Sequence, residues 1–158
     1  MLRGAFWAAA GAALVLSGTS VAGPIGSLTA TLSNTHAGAR PVVLTLALRT
    51  ELQCGRLVGG ALMVRLLAQE RVPARVAAKA VLVGGKPAGA VAVAGHTLTV
   101  SIPRPPVVMC DVIGPGTVKL VLTRAANLGN PKAAGSYPLV VTRGADQFKT
   151  TFKISRAG

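Results

Sequence analysis

An antiparallel β-sandwich of eight or nine strands is the fold class this sequence predicts, from three observations. Short runs rich in Val, Leu and Thr recur along the chain, and such side chains suit a pleated, half-buried surface. Breaks bearing Gly and Pro separate the runs at the spacing typical of sandwiches and barrels. Only residues 74–80 have the composition for a helix, and they include no long amphipathic repeat.

Residues 1–22 read as a signal peptide, with Arg3 as the positive start, Ala5 to Leu16 as the apolar run and Ser17 to Ala22 as the small polar end. Ser20-Val21-Ala22 places small residues at both positions a signal peptidase inspects, so cleavage is expected before Gly23. The apolar run is shorter than the roughly 18 residues a membrane anchor needs. The mature chain, 23–158, has 136 residues and reads as a single β-sandwich domain. It offers no transmembrane segment, so the product is expected to be secreted or held at the cell envelope.

Ser27 to Ser33 alternates small polar and apolar residues and reads as an edge strand, followed by a turn over 34–39. Pro41 to Arg49 and Ala61 to Leu67 are the next strands, with Pro41 acceptable as a first strand residue. The Val72-Pro73 step favours a loop. Lys79 to Pro103 holds three runs broken by Gly84-Gly85, Gly89 and Gly95, and reads as a three-stranded meander against which the rest packs. A loop over 104–116 leads to the strand Thr117 to Thr123, and a second loop fills 125–136. Tyr137 to Arg143 and Gln147 to Ile154 close the chain as a hairpin turning at Gly144-Ala145-Asp146.

Catalysis finds little to use. His36 and His96 fall in predicted turns with no neighbouring acid to orient either ring, and both read as exposed turn residues. The four acids, Glu51, Glu70, Asp111 and Asp146, show no pairing, and no nucleophile-elbow, zincin or P-loop pattern occurs. Two His and two Cys at these spacings match no zinc site, so the reading is a non-enzyme without metal or cofactor. Tyr137, Phe148 and Phe152 are the only aromatics of the mature chain and read as core, which disfavours stacking on sugars or bases and any specific nucleic-acid partner.

Cys54 and Cys110 are the only cysteines, and in an exported protein a lone pair is expected to form a disulfide. Alternating strand directions put the loops after Arg49 and after Ile102 at the same pole, so the two sulfurs can meet. Sixteen basic residues against four acidic ones leave the mature chain at +12, a field that favours polyanions such as wall polymers or glycosaminoglycans. The competing reading is a solvated basic surface that keeps the protein soluble.

Several fragments fall in a familiar order: Leu52-Gln53-Cys54-Gly55, Val72-Pro73, Val81-Leu82-Val83-Gly84-Gly85, V-A-V-A-G-H-T-L-T-V over 91–100, and L-G-N-P-K-A-A-G-S-Y-P-L-V-V over 128–141. Together they resemble an immunoglobulin-like β-sandwich repeat of bacterial secreted and cell-surface proteins, over residues 38–143. The resemblance implies an immunoglobulin-like sandwich with a structural or adhesive role and no shared catalytic site; with the positive charge, the expected partner is an anionic envelope polymer or another surface protein. Gly84 stands where that pattern has Asn, its early aromatics are aliphatic here, and the cysteine pair lies outside it.

The same alternation sorts the charges. Arg56, Lys86 and Arg104 share the cysteine pole with Glu51, Asp111 and Asp146, whereas Arg40, Arg71, Arg75, Arg124 and Lys132 gather at the other with only Glu70. Loops at the end of a sandwich are where binding is commonly grafted, which makes Arg71, Arg75, Arg124 and Lys132 the expected contact set. The alternative is that these side chains merely flank strand ends in solvent.

Overall fold

Leu and Val at every second position of the strands turn to one shared interior, and this alternation builds the fold. The computed structural model describes residues 26–53, 57, 59–66, 71–103 and 113–156, with backbone alone at 51–53 and 113–115. The expected signal peptide, Cys54, Cys110, Arg56, Glu70, Arg104 and Asp111 lie outside the described residues.

The strands are β1 (Leu28–Leu32), β2 (Leu44–Gln53), β3 (Ala61–Arg65), β4 (Val81–Val83), β5 (Lys86–Pro87), β6 (Ala90–Ala94), β7 (Thr97–Ser101), β8 (Ile113–Leu122), β9 (Gly135–Arg143) and β10 (Asp146–Ile154). They form two five-stranded sheets, ordered β1-β2-β8-β4-β5 and β10-β9-β3-β7-β6, in which every named pair is antiparallel. The protein is therefore an all-β sandwich. The strand beyond the expected eight or nine is the two-residue β5.

Leu44, Leu46 and Leu48 of β2 and Val118, Leu120 and Leu122 of β8 form the inner face of the first sheet. Leu62 and Val64 of β3, Leu98 and Val100 of β7, and Leu139 and Val141 of β9 face them, and all belong to one buried cluster. Burying each such side chain contributes about 1.5–3 kcal/mol, so these aliphatic faces dominate the favourable energy. The aromatic rings complete one flank: Tyr137 and Phe152, opposite each other in the β9–β10 register, stack with centroids 6.0 Å apart.

The central meander is corrected by the fold. Its first run (β4, with β5) belongs to one sheet, and its last two runs (β6 and β7) belong to the other. The crossing is made by two adjacent residues, since Ala88 N–H donates to Val81 O at 2.8 Å and Gly89 N–H donates to Ser101 O at 2.9 Å. The β4–β5 pairing thus continues one residue past Pro87, and the chain changes sheets between Ala88 and Gly89. A second correction concerns β8, which begins at Ile113 and runs through Gly114-Pro115-Gly116, the end of the expected loop. β4 pairs only with Leu120 to Leu122, leaving Pro115 with β2 as its one ladder neighbour, where a missing N–H costs little. The helical stretch reduces to a 3₁₀ turn, Ala78–Ala80.

Gly26 packs the segment before β1 onto this frame. A Cβ there would overlap the Phe148 ring and crowd the Arg49 carbonyl. Gly26→Ala is expected to destabilise the domain by about 1–2 kcal/mol through overpacking, read as a lower urea midpoint at unchanged m-value. An unchanged midpoint would mean that this segment contributes nothing to stability.

Candidate anion-binding pole

One end of the sandwich is built from the 33–43 loop, the segment 71–80, the 123–134 loop and the chain after β10. Asn130, buried at 2 % exposure, stitches two of them together. Its Nδ2 donates to the carbonyls of Asn34 and His36, both at 2.9 Å, and its N–H donates to Ala39 O at 2.9 Å. Leu128 O accepts from Val42 N–H at 2.9 Å on the same side. On the other side Gly129 and Arg71 exchange both backbone bonds at 3.0 Å. Residues 128–130 thus run as a short central strand between 39–42 and Arg71.

This arrangement brings Arg40 and Arg71 together. A Cβ on buried Gly129 would meet Arg71 Cβ at 3.1 Å and Arg40 Cδ at 3.4 Å, so both exposed side chains rise from the same point. Arg40 Nε donates to Asn127 Oδ1 at 2.9 Å. Asn127 sits in the left-handed region (φ 53) and closes the 3₁₀ turn Arg124–Ala126, its N–H donating to Arg124 O at 3.0 Å. Lys132 is exposed on the far side of Asn130, after Pro131, whose carbonyl accepts from Gly38 N–H at 2.7 Å.

The four expected contact residues therefore separate. Arg71 stands over Gly129 beside Arg40, Arg124 is exposed at the start of the turn that Asn127 closes, and Lys132 follows Pro131. Arg75 instead lines an open cleft of about 580 Å³ between Ala74–Ala77 and Val91–Val93 of β6. Arg40, placed at this pole by the strand alternation but left out of the contact set, is central. Only its position before Pro41, at the mouth of β2, pointed to it in the sequence. Lys79 and Arg156 add exposed charge to the same end. The only described carboxylate side chain, Asp146, lies at the β9–β10 turn, at the other end of the strands, whereas Lys86, opposite Val83 in the short β4–β5 pair, sits beside Leu120 of β8 and not at that end.

Among the described residues neither histidine meets an acid. His36 Nδ1 lies 3.1 Å from the Arg156 carbonyl, a bond that requires the Nδ1–H tautomer, and its backbone bridges Ser155. His96 is half-buried rather than exposed, with Nδ1 unpartnered, and its carbonyl accepts from Leu66 N–H at 2.9 Å. Among the described residues no group of three or more His, Cys, Asp or Glu could hold a metal, and no helix is long and apolar enough to cross a membrane.

No protein-family model and no curated protein sequence matches the chain. Among solved structures it is similar to BslA, described as a bacterial hydrophobin, at 19% identity and a TM-score of 0.52. The match covers 84% of this chain and 100% of that one, a likeness of fold.

Proposed function

We propose that this chain is a secreted or envelope-associated, non-catalytic immunoglobulin-like domain with a structural or binding role. The observation that carries the reading is how the polar groups are used. The buried Asn130 and the imidazole of His36 bond to backbone carbonyls of neighbouring loops, which holds loops together and positions no reacting atom. The strand order supports the immunoglobulin-like part. An immunoglobulin sandwich sets its first, second, fifth and fourth strands, in that order, against its third and last two, and here β1-β2-β8-β4 faces β10-β9-β3. β5 and the pair β6–β7 are additions to that frame. The secreted-protein repeat gains support from Tyr137, whose hydroxyl donates to the Ala133 carbonyl at 2.8 Å, fixing the segment after Asn130-Pro131. The likeness to a hydrophobin favours a structural use of the sandwich over an enzymatic one. Fractionating the producing cells tests the reading: the processed chain is expected in the envelope or the culture supernatant. Recovery only from cytosol, with residues 1–22 attached, would overturn it.

A second reading has its own observation: Arg40, Arg71, Arg124 and Lys132 stand at one end with no described carboxylate beside them. That end is suited to a polyanion such as a wall polymer or glycosaminoglycan. Retention on a heparin column at low salt, lost as salt rises, is the expected result, because counterion release drives such binding. Absence of retention at low salt would discard it.

A further inference from the structure

We propose that Arg40 and Arg71 form a two-pronged anion clamp over Gly129. It takes the repeated tetrahedral oxyanions, phosphate or sulfate groups, of a flexible polymer. The proposal deepens the polyanion reading and rests on it. Convergence of the two stems is the first support: a Cβ at Gly129 would stand 3.1 Å from Arg71 Cβ and 3.4 Å from Arg40 Cδ, so both prongs share one base. Anchorage of the Arg71 backbone and of the Arg40 guanidinium is the second. Reciprocal backbone bonds at 3.0 Å fix Arg71 to Gly129, and the Nε bond to Asn127 orients the Arg40 guanidinium while leaving its Nη groups free for a ligand. A guanidinium held in this way loses less side-chain freedom on binding and keeps the fork that matches a tetrahedral oxyanion.

The surroundings define the ligand further. Tyr137, Phe148 and Phe152, the described aromatics, are all buried, so neither bases nor sugar rings have a stacking platform. The one exposed large apolar residue described, Met63, lies on the outer face of β3, so among the described residues this pole has no large exposed apolar side chain to enter a bilayer. Arg124 on one side and Lys132 on the other continue the positive track, which fits a chain of anions better than a single ion.

The test uses charge-preserving variants of the mature protein, with long-chain polyphosphate and heparin as probes across a salt series. Arg40→Lys removes the Nε donor, Asn127→Gly removes its acceptor while tolerating the left-handed backbone, and Gly129→Ala pushes both stems apart. Each is expected to weaken polymer binding about tenfold at fixed salt, the loss for one charge-assisted hydrogen bond. Removing charges outside the clamp, in Lys86→Gln on β5 and Lys149→Gln on β10, is expected to cost less. Asn127 and Arg40 are exposed, so two variants keep the test valid if Gly129→Ala fails to fold. The ratio of polyphosphate to heparin affinity separates phosphate from sulfate as the source. If the charge-preserving variants bind like the parent while the Lys86 and Lys149 variants weaken it, net charge alone acts, and the clamp is wrong although the polyanion reading stands. Failure of the parent to bind either polymer at low salt overturns both. Preference for phosphatidylglycerol vesicles over both polymers also overturns the clamp.

Discussion

Asn130→Ala is expected to lower the unfolding free energy by about 3 kcal/mol, far more than an exposed loop substitution would. The amide makes two bonds to carbonyls of the 34–39 loop, and the side chain has almost no contact with water. Each bond contributes about 1 kcal/mol net, and carbonyls left without a donor in a partly buried site add to the loss. Asn130→Asp is expected to be worse at neutral pH, because a carboxylate only accepts and would face the oxygens of Asn34 and His36. Urea unfolding of the three proteins checks both statements. A loss under about 1 kcal/mol for the alanine variant would mean that the backbone bonds of Ala39 and Val42 hold the loop unaided.

What could be read from the sequence was local. The alternation in Leu44 to Leu48 and Val118 to Leu122 fixes which residues face inward, whatever the strands pair with. The β9–β10 hairpin was equally legible, since Gly144 supplies the positive φ (57) at its turn. The split of the central meander was not, because Ala88 and Gly89 look alike in sequence and differ only in which sheet receives their N–H groups. Pro115 misled for a related reason: a proline argues against a central strand, and only the short reach of β4 makes its position edge-like. The pole shows the same division. Strand alternation gathers the basic loops at one end, yet the approach of Arg40 to Arg71 depends on two bridges, Val42 to Leu128 and Arg71 to Gly129. Each joins residues more than fifty positions apart, and periodicity carries no information about such pairings. Arg75, four residues from Arg71, ends beside β6 instead.

The native mature protein is expected to contain no free thiol, and reducing it is expected to remove about 4 kcal/mol of stability. Cys54 and Cys110 lie outside the described residues, and the expectation rests on the sequence, a lone cysteine pair in a chain read as exported. Gln53 and Ile113 are the terminal partners of the β2–β8 ladder, so their Cα atoms stand about 5 Å apart. The bridge would close a loop of 57 residues that contains β3 to β7. In the chain-entropy account its effect falls on the unfolded chain, so the double variant Cys54→Ser/Cys110→Ser should fold to the same sandwich with a lower melting temperature. Two titratable thiols in freshly exported native protein would sink the bridge. The same thiol count bears on the compartment, since a bridge formed in the cell requires passage through an oxidising environment.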